Sequence, residues 1–336
     1  MKVLVTGASG LLGGQVALAL AERGDQVTVL QRRPSGLGLT EVLADVADAG
    51  PVRAAVASHD AVVHLAAKVN VIGAWADYER ANIVGTTNVV AACRAAGVAR
   101  LVQVSSPSVA HAGSSLVGVG ADPADAAHAR GDYARSKAVA ERIALDADSP
   151  DLAVVAVRPH LVWGPGDTQL VARIVARGRS GRLPLIGSGA ALVDTTYVTN
   201  AVDALVAALD QCHDAHGQAL VVSNGEPRPI GEILGNICAA AGVERPHRHV
   251  PTRLAVNAGG VVQTIWPWLA RLREDGADAD PPMTRFLAEQ LSTAHWFDQR
   301  HTRQVLDWAP RVTLDQGFAE LSRWYAHGRP ENVTPV

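Results

Sequence analysis

Two side chains that could move a proton lie four residues apart. Tyr133 and Lys137 fall in a segment, 132–146, whose pattern predicts a helix. Residues at this spacing share one helix face, so the phenol and the ammonium would be neighbours. A free phenol has a pKa of about 10, and a nearby positive charge favours its anion. Tyr133 could then exchange a proton with a carbonyl oxygen that Ser106 holds, although a surface aromatic–cation pair would have the same spacing.

A glycine-rich turn near the start of the chain predicts a dinucleotide-binding site. Residues 2–5 form an apolar run typical of a buried strand, and residues 11–22 are rich in Ala and Leu, as in a helix. Gly7, Gly10 and Gly13 lie between them and would allow a tight turn with close approach of phosphates to the backbone. The unpaired N–H groups that begin the helix would bind a pyrophosphate. A tight turn alone could need these glycines, but their place between a strand and a helix favours the dinucleotide.

Strand and helix signals alternate through the first half of the chain, with helices expected at about 82–96 and 132–146. Further strands are expected at 26–30, 42–46, 61–67, 101–104 and 152–158. This alternation predicts an α/β fold with a doubly wound parallel sheet, the Rossmann fold. Ligands of such sheets bind at the carboxyl ends of the strands, where four of the candidate residues fall: Gly7, Asp45, Ala66 and Ser106. Residues 110–130, rich in Gly, Ala and Asp, are expected to form a loop.

The second half has a more mixed pattern, which predicts a smaller C-terminal substrate lobe. Helices are expected at 168–178, 200–209 and 230–241, and strands at 183–186, 195–198 and 219–222. We expect residues 1–165 and 199–222 to form the dinucleotide-binding domain, and residues 166–198 and 223–330 to form the lobe. An acidic linker at 274–280 and a frayed end at 328–336 complete this prediction.

Composition limits the classes of function. With 48% hydrophobic and 19% charged residues, the chain can bury a sizeable core. The net charge of −3 and the lack of a basic block give no reason to expect a nucleic-acid partner. Cys93, Cys212 and Cys238 are odd in number and lack metal-ligand spacing, so we expect no metal and a cytoplasmic location. The chain begins directly with a strand, and no run reaches the roughly 20 apolar residues that a membrane span needs.

One apolar segment, 254–270, has no clear place in the alternating pattern. It carries Val261, Val262, Ile265, Trp266, Trp268 and Leu269, interrupted by Asn, Gly, Gln and Pro residues. We expect an amphipathic or irregular surface segment. It would suit a lid over an apolar substrate or a shallow, peripheral contact with a membrane surface. A core helix of the lobe is the alternative.

The residues after the second predicted strand favour NADP(H) over NAD(H). Many dinucleotide folds place an acidic residue here to bind the ribose 2′-hydroxyl, whereas a 2′-phosphate calls for arginine. This chain has Gln31 followed by Arg32 and Arg33. NAD(H) stays open, because Gln31 could hydrogen-bond an unphosphorylated ribose and exposed arginines are often merely solvated.

Together these motifs resemble the extended short-chain dehydrogenase/reductase superfamily, also called the NAD-dependent epimerase/dehydratase superfamily. The motifs are Thr6 with Gly7, Gly10 and Gly13; Asp45; His64, Ala66 and Ala67; Asn82; Ser105 and Ser106; Tyr133 and Lys137; and Arg158 with Pro159. The resemblance implies that Ser106, Tyr133 and Lys137 are catalytic. It also implies a cofactor-binding set of Gly7, Ser9, Gly10, Leu11, Leu12, Arg32, Arg33, Asp45, Val46, Ala66, Ala67, Lys68, Tyr133, Lys137 and Pro159. Within it, the glycines would bind the pyrophosphate, Asp45 the adenine and Lys137 the nicotinamide ribose.

Later motifs look like the 3β-hydroxysteroid dehydrogenase branch of that superfamily. They are residues 193–198 with Asn200 and Asp203, residues 223–227, residues 281–285 and residues 295–298. These motifs are similar to those of sterol-4α-carboxylate 3-dehydrogenases and bacterial 2-alkyl-3-oxoalkanoate reductases. Nucleotide-sugar epimerases of the superfamily usually carry an arginine just before the aspartate that matches Asp194. Val193 stands there in this chain, which disfavours a diphosphate substrate.

The sequence therefore predicts an NADP(H)-preferring oxidoreductase that interconverts a ketone and a secondary alcohol on a hydrophobic small molecule. The expected substrate is a 3-oxo or 3-hydroxy acid, either a long-chain 2-alkyl-3-oxo acid or a sterol-like alcohol with a neighbouring carboxylate. The alternatives are a nucleotide-sugar epimerase or reductase and a non-catalytic protein that senses dinucleotides. The resemblance also implies a homodimer through the helices around Asn82 and Tyr133.

Overall fold

The structure is a computed structural model that describes residues 1–69, 73–111, 113–271 and 285–328, with the backbone alone at 263–271 and 285–287. Three expectations lie outside the described residues: the acidic linker at 274–280, the motif residues 281–284, and the frayed end at 329–336.

Strands and helices alternate along the chain as the sequence predicts. The strands are β1 (Lys2–Thr6), β2 (Gln26–Gln31), β3 (Thr40–Leu43), β4 (Ala61–His64), β5 (Arg100–Val104), β6 (Leu116–Val119), β7 (Ala153–Pro159), β8 (Val162–Trp163), β9 (Leu185–Ile186), β10 (Leu192–Val193), β11 (Thr196–Tyr197), β12 (Ala219–Val222), β13 (Arg228–Pro229), β14 (His249–Val250) and β15 (His295–Phe297). The α-helices are α1 (Leu11–Glu22), α2 (Ala49–Val56), α3 (Trp75–Tyr78), α4 (Gly85–Ala96), α5 (Asp132–Leu145), α6 (Leu170–Arg179), α7 (Val198–Asp210), α8 (Ile230–Ala240), α9 (Thr252–Arg271), α10 (Arg285–Ser292), α11 (Arg300–Leu306) and α12 (Leu314–Ala326).

A seven-stranded sheet in the order β12-β7-β5-β4-β1-β2-β3 forms the centre of the molecule. Its neighbouring strands are all parallel, which confirms the predicted doubly wound, Rossmann-like fold. Alternate residues of β1 show why the strands are continuous apolar runs. Val3 and Val5 face a core that α1 and α7 complete, and Leu4 faces a second core that α2 and α4 complete. Because both faces are covered, the open positions for a ligand are at the carboxyl edge of the sheet.

The expected loop at 110–130 was wrong in part, because it contains β6. This strand pairs in parallel with β15, so that Leu116 lies opposite His295, within a second sheet of order β13-β10-β15-β6. The partner strand lies far along the chain, so the pairing leaves no signal in the local pattern. The strand therefore forms through a long-range contact.

Three boundaries differ from the predicted ones. The strand expected at 42–46 is β3, and Asp45 lies past its end. The helix expected at 82–96 continues an earlier helix, α3, through a π-helical turn at Glu79–Val84. Such a turn adds a residue to the helix and often marks a functional site, and this one contains Asn82. The strand expected at 195–198 is only β11, because Val198 already begins α7.

The segment 254–270 is helical, which agrees with the amphipathic form of the expected surface segment and not with the irregular one. It lies within α9, whose described side chains divide between two environments. Leu254 and Val261 are 61% and 60% exposed, whereas Ala255 is buried against Ile186. No helix among the described residues is long and apolar enough to cross a membrane.

Aromatic rings pack helix α12 against strands β8 and β11. The Trp163 ring stacks on Phe318 of α12 with centroids 4.6 Å apart, and Tyr197 meets Trp163 edge to face at 5.3 Å. Gly317 lets α12 approach these rings, since a Cβ there would lie 2.6 Å from Tyr197 Cδ2 and 3.1 Å from Trp163 Cη2. The position of α12 therefore depends on Gly317 having no side chain.

Replacing Gly317 by alanine should lower the free energy of unfolding by about 1 to 3 kcal/mol, because the added methyl group overlaps a buried ring. Helix propensity alone would predict a gain of about 1 kcal/mol. Urea unfolding followed by circular dichroism measures the difference.

The matched control is Gly50→Ala in α2, where an added Cβ meets nothing within 4 Å. This variant should be neutral or more stable than the parent by up to about 1 kcal/mol. A Gly317→Ala protein as stable as the control would contradict the packing argument.

Candidate active site

The turn between β1 and α1 has the geometry of a phosphate cradle. Gly7 has a φ of +79°, a conformation open to glycine, and its N–H donates to the Leu30 carbonyl over 3.0 Å. A Cβ on Gly7 would lie 2.8 Å from the Ala66 nitrogen, and one on Gly13 would lie 2.4 Å from the Gly7 oxygen. Helix α1 begins after Gly10 with no side-chain cap, so its first N–H groups face outward for an anion. The residues present therefore fit a dinucleotide pyrophosphate.

A hydrogen-bond network ties this turn to the end of β4. His64 Nδ1 lies 2.7 Å from Thr6 Oγ1, and Nε2 lies 3.2 Å from Thr86 Oγ1. The Ala66 N–H also donates to Thr6 Oγ1 over 3.1 Å. Burial, with a smaller contribution from the charge of Lys137, lowers the pKa of His64 to about 3. A neutral imidazole therefore fixes the loop of Ala66 beside the glycine turn.

Ser106 and Tyr133 meet at the end of β5, as the sequence analysis expected. Both side chains are half-buried, and the Ser106 hydroxyl lies near the Tyr133 phenol. Burial raises the pKa of Tyr133 above its usual value, and the nearby Ser106 hydroxyl acts in the opposite direction. The Ser106 hydroxyl oxygen also accepts hydrogen bonds from the Ser108 backbone over 3.3 Å and from its hydroxyl over 3.0 Å.

Lys137 lies one turn after Tyr133 on α5 and is only 4% exposed. Its Nζ donates to the Val104 carbonyl over 2.6 Å, two residues before Ser106. Burial lowers the pKa of Lys137 to about 8, and the negative charge of Glu141 opposes that shift. The pKa of Tyr133 is raised by burial in this structure, whereas the sequence analysis expected Lys137 to lower it.

Asn82 joins the cofactor-side loop to the helix of Tyr133. Its Oδ1 accepts from the Lys68 N–H over 2.7 Å, while its Nδ2 donates to the Lys68 carbonyl over 3.1 Å and to Ser136 Oγ over 2.8 Å. Ser136 in turn donates to the carbonyl of Tyr133 over 2.9 Å. The sequence motif contains Asn82, but these partners come from separate elements and could not be read from it.

The predicted adenine side lies beyond β3. Asp45 Oδ1 accepts from the Ala47 N–H over 2.9 Å, and Oδ2 lies 3.4 Å from the Arg80 guanidinium. Val46 is buried beneath Gly85, where an added Cβ would lie 2.7 Å from Val46 Cγ2. The sequence analysis missed Arg80, which holds the carboxylate of Asp45 at the rim of the site.

The end of β2 offers an amide and two arginines where many dinucleotide folds have a carboxylate. Gln31 is buried, and its Nε2 donates to Glu41 Oε1 over 2.5 Å. Its Oε1 has no hydrogen-bond partner among the described residues. Ser35 donates to the same Glu41 oxygen from its backbone and its hydroxyl, which shapes the loop. Arg32 and Arg33 are exposed on that loop.

The strand exits on the substrate side are apolar or tightly packed. Leu161, just past the buried Pro159, has a φ of +43° and is 37% exposed, an unusual backbone conformation for leucine. Val193 is fully buried. Asp194 accepts hydrogen bonds from Ser223 Oγ over 2.6 Å and from the backbone N–H groups of residues 225 and 226. Asp194 therefore holds the 223–227 motif in place.

The motif at 295–298 packs against the segments that follow β5 and β7. His295 Nε2 lies 3.1 Å from His111 Nε2, and the His160 ring lies edge to face against Phe297 at 5.0 Å. Burial lowers the pKa of His160 to about 4 and that of His295 to about 3, so both are neutral. The sequence analysis assigned no role to this motif, and the contacts are those of a packed core.

Comparison with known proteins identifies the family. The family model described as "NAD dependent epimerase/dehydratase family" matches residues 3–223. The chain belongs to the NAD dependent epimerase/dehydratase family. Members of this family share the expected Rossmann-like fold, and the predicted resemblance is confirmed.

The names of similar proteins indicate the type of reaction. A protein named 2-alkyl-3-oxoalkanoate reductase from Stenotrophomonas maltophilia (strain K279a) is 42% identical, covering 96% of this chain and 98% of its own. The 3-beta-hydroxysteroid dehydrogenase of Mycolicibacterium neoaurum is 29% identical over 96% and 91%. MoeE5, solved in complex with UDP-glucose and NAD, is 26% identical with a TM-score of 0.73, covering 97% and 99%. The predicted class, dehydrogenases and reductases that act on CH–OH groups, is confirmed by these relatives.

Replacing Gly13 by alanine should lower the free energy of unfolding by about 2 kcal/mol or more. The new Cβ would lie 2.4 Å from a backbone oxygen, and backbone cannot move aside as a flexible side chain can. Denaturant unfolding measures the change.

Gly10→Ala is the control, because its Cβ would meet the Gly7 oxygen at an ordinary 3.5 Å. Loss of a glycine N-cap should cost under about 1 kcal/mol there. Equal losses for the two variants would contradict the geometry of the turn.

Proposed function

We propose that this protein reduces the ketone of a hydrophobic 3-oxo acid to a secondary alcohol with NADP(H), or catalyses the reverse. The favoured substrate is a 2-alkyl-3-oxo acid with long apolar chains, and a sterol-like 3-hydroxy acid is the second member of the same class. A 3-oxo acid loses CO₂ readily, so reduction would preserve the acid, whereas oxidation would prepare its decarboxylation.

The reaction type rests on one observation, the nearness of Ser106 and Tyr133 at the carboxyl edge of the sheet that also carries the glycine turn. Ser106 would hold the ketone oxygen, and Tyr133 would donate the proton that this oxygen gains. A bound nicotinamide dinucleotide supplies or accepts the hydride. The raised pKa keeps Tyr133 protonated at neutral pH, as an acid needs. Lys137 would bind the nicotinamide ribose and stabilise the Tyr133 oxygen when its proton leaves.

The substrate class is supported by the relative with 42% identity and by the apolar strand exits. Leu161 offers an exposed apolar side chain, and the buried Val193 offers no charge to a diphosphate. Helix α9 presents Leu254 and Val261 to solvent, which suits a cover over an apolar substrate, with shallow membrane contact as its alternative. We retain a homodimer and the division into domain and lobe as parts of this proposal.

The preference for NADP(H) is supported by the loop after β2. Arg32 and Arg33 have no ion-pair partner among the described residues and could bind a 2′-phosphate bidentately. Glu41 accepts hydrogen bonds from Ser35 and Gln31 through one carboxylate oxygen. That oxygen is therefore already engaged and is not available to a ribose hydroxyl. The unpartnered Gln31 Oε1 could accept from a ribose hydroxyl, which leaves NAD(H) as a weaker cofactor.

Two other functions make different predictions. A nucleotide-sugar epimerase is compatible with the fold, since the similar MoeE5 was solved in complex with UDP-glucose and NAD, but it should retain tightly bound NAD(H) through purification. A non-catalytic dinucleotide sensor has no need for Ser106, Tyr133 and Lys137 together. Absorbance of NADPH and NADH at 340 nm separates the three, with a 2-alkyl-3-oxo fatty acid, a 3-ketosteroid and a UDP-sugar as substrates. NADPH consumption with the oxo acid or the steroid is expected, and consumption with the UDP-sugar alone would refute the proposal.

Removing the Tyr133 hydroxyl should abolish most turnover and spare cofactor binding. In Tyr133→Phe we expect kcat to fall at least about hundredfold, because the proton donor is lost. The dissociation constant for NADPH, measured by fluorescence, should change by less than about threefold.

Tyr325→Phe on α12 removes a phenol hydroxyl outside the site and should leave both quantities as in the parent. A Tyr133→Phe enzyme with parental kcat would exclude Tyr133 as the acid.

Replacing both arginines of the β2 loop should reverse the cofactor preference. In Arg32→Ser/Arg33→Ser the dissociation constant for NADPH should rise at least about tenfold, since a charge-assisted contact to the 2′-phosphate is lost. That for NADH should stay unchanged.

The control is Arg94→Ser in the last turn of α4. This helix ends at the amino edge of the sheet, opposite the carboxyl edge where ligands bind. Calorimetry with the two nucleotides measures the ratio of their dissociation constants directly. A ratio that does not move in the double variant would refute the role of these arginines.

A further inference from the structure

A buried ion pair lies one helical turn beyond Lys137. Glu141 on α5 and Arg158 near the end of β7 are each 1% exposed. Arg158 Nε donates to Glu141 Oε2 over 2.8 Å, and Nη2 donates to Oε1 over 2.5 Å. The third guanidinium nitrogen, Nη1, donates to the carbonyl of Asp122 over 2.7 Å. The carboxylate of Glu141 is therefore fixed by a bidentate contact and cannot turn away from the helix that carries Lys137.

Stability alone is a weak explanation for such a pair. Removing two charges from water costs several kcal/mol per ion, and apolar residues of the same volume are often as stable. An effect of the pair on a neighbouring charge is the alternative. Lys137 is that neighbour, because residues four apart on a helix face each other.

The groups around Lys137 leave one source of negative charge. Tyr133 on the same helix is a neutral phenol, and His64 on β4 is a neutral imidazole because its pKa is lowered to about 3. Val104 contributes a carbonyl oxygen to Nζ. Arg158, which binds the Glu141 carboxylate, adds positive charge. Among the described residues, Glu141 is the acid whose charge opposes the effect of burial on Lys137.

We propose that Glu141, held in place by Arg158, keeps the Lys137 side chain in its ammonium form at neutral pH. Glu141 is then a positioning residue, because it acts on the Tyr133 proton through Lys137 and touches neither substrate nor cofactor. The consequence for catalysis rests on the proposed function. The charge state of Lys137 does not, so the two can be measured separately.

The composition of the chain makes a direct measurement practical. It contains three lysines, Lys2, Lys68 and Lys137, so protein labelled with ¹³C at the lysine ε carbon gives three NMR signals. Lys2→Arg and Lys68→Arg variants assign them. In Glu141→Gln we expect the titration midpoint of Lys137 to fall by at least one pH unit, which is about tenfold in its acid dissociation constant. The midpoints of Lys2 and Lys68 should not move.

Glu141→Gln leaves the Arg158 charge buried without its partner and could destabilise the fold. A second variant separates that effect from the effect on Lys137. Glu141→Gln/Arg158→Gln removes both charges and should lower the Lys137 midpoint in the same direction. Asp203→Asn is the matched control, since it removes a carboxylate that binds Arg311 bidentately at the surface, and Lys137 should titrate as in the parent. An unchanged Lys137 midpoint in either folded variant would overturn the proposal. A double variant that cannot fold would count against it too, because the pair would then serve the fold itself.

Turnover provides a readout that a merely structural role would not move. In Glu141→Gln the alkaline limb of the kcat profile should shift to lower pH by the same amount as the Lys137 midpoint, so that activity lost at pH 7.5 returns near pH 6. A structural defect would instead lower kcat equally at every pH. If Lys137 titrates as expected but no ketone is reduced by the parent protein, the proposed function fails and the role of Glu141 stands.

Discussion

The charge of Lys137 is the constraint around which the candidate site is arranged. An ammonium removed from water must be solvated by protein groups or lose its proton. Here the Val104 carbonyl supplies the contact to Nζ over 2.6 Å, and the carboxylate of Glu141 supplies the opposite charge. Because Val104 immediately precedes the loop of Ser106, the bond that solvates Lys137 also fixes the helix of Tyr133 against the end of β5.

A series of hydrogen bonds also links the elements along the carboxyl edge of the sheet. Thr6 precedes the glycine turn and bonds His64, which ends β4. The loop after β4 is held by Asn82, which also binds Ser136 on the helix of Tyr133. A nucleotide seated on the glycine turn would therefore contact a framework that already includes Tyr133, the proposed proton donor. Displacing any one of these groups should change the alignment of the others.

Local signals made much of this predictable. The glycine turn and the spacing of Tyr133 and Lys137 each lie within one short segment, and their geometry follows from a strand-to-helix turn and from helix periodicity. The parallel sheet followed from alternating elements. The sequence analysis could not find β6, because its partner β15 lies far along the chain. The contact of Glu141 with Arg158 joins a helix and a strand, so no local pattern predicted it.

The residues of the proposed substrate site were harder to predict, because the packing of the strand exits, rather than residue type, decides which side chains are exposed there. The positive φ of Leu161 and the burial of Val193 depend on how the strand exits pack. The lack of an arginine at position 193 was visible in the sequence, but the conformation that exposes Leu161 was not.

The most direct test of the account follows the hydrogen itself. Purified protein is incubated with NADPH that carries deuterium at the transferable C4 position and with a 2-alkyl-3-oxo fatty acid, and the product is examined by mass spectrometry. The account predicts a 2-alkyl-3-hydroxy acid that is one mass unit heavier, with the deuterium on C3. A product without deuterium, or an oxo acid recovered unchanged while the cofactor is bound, would contradict it.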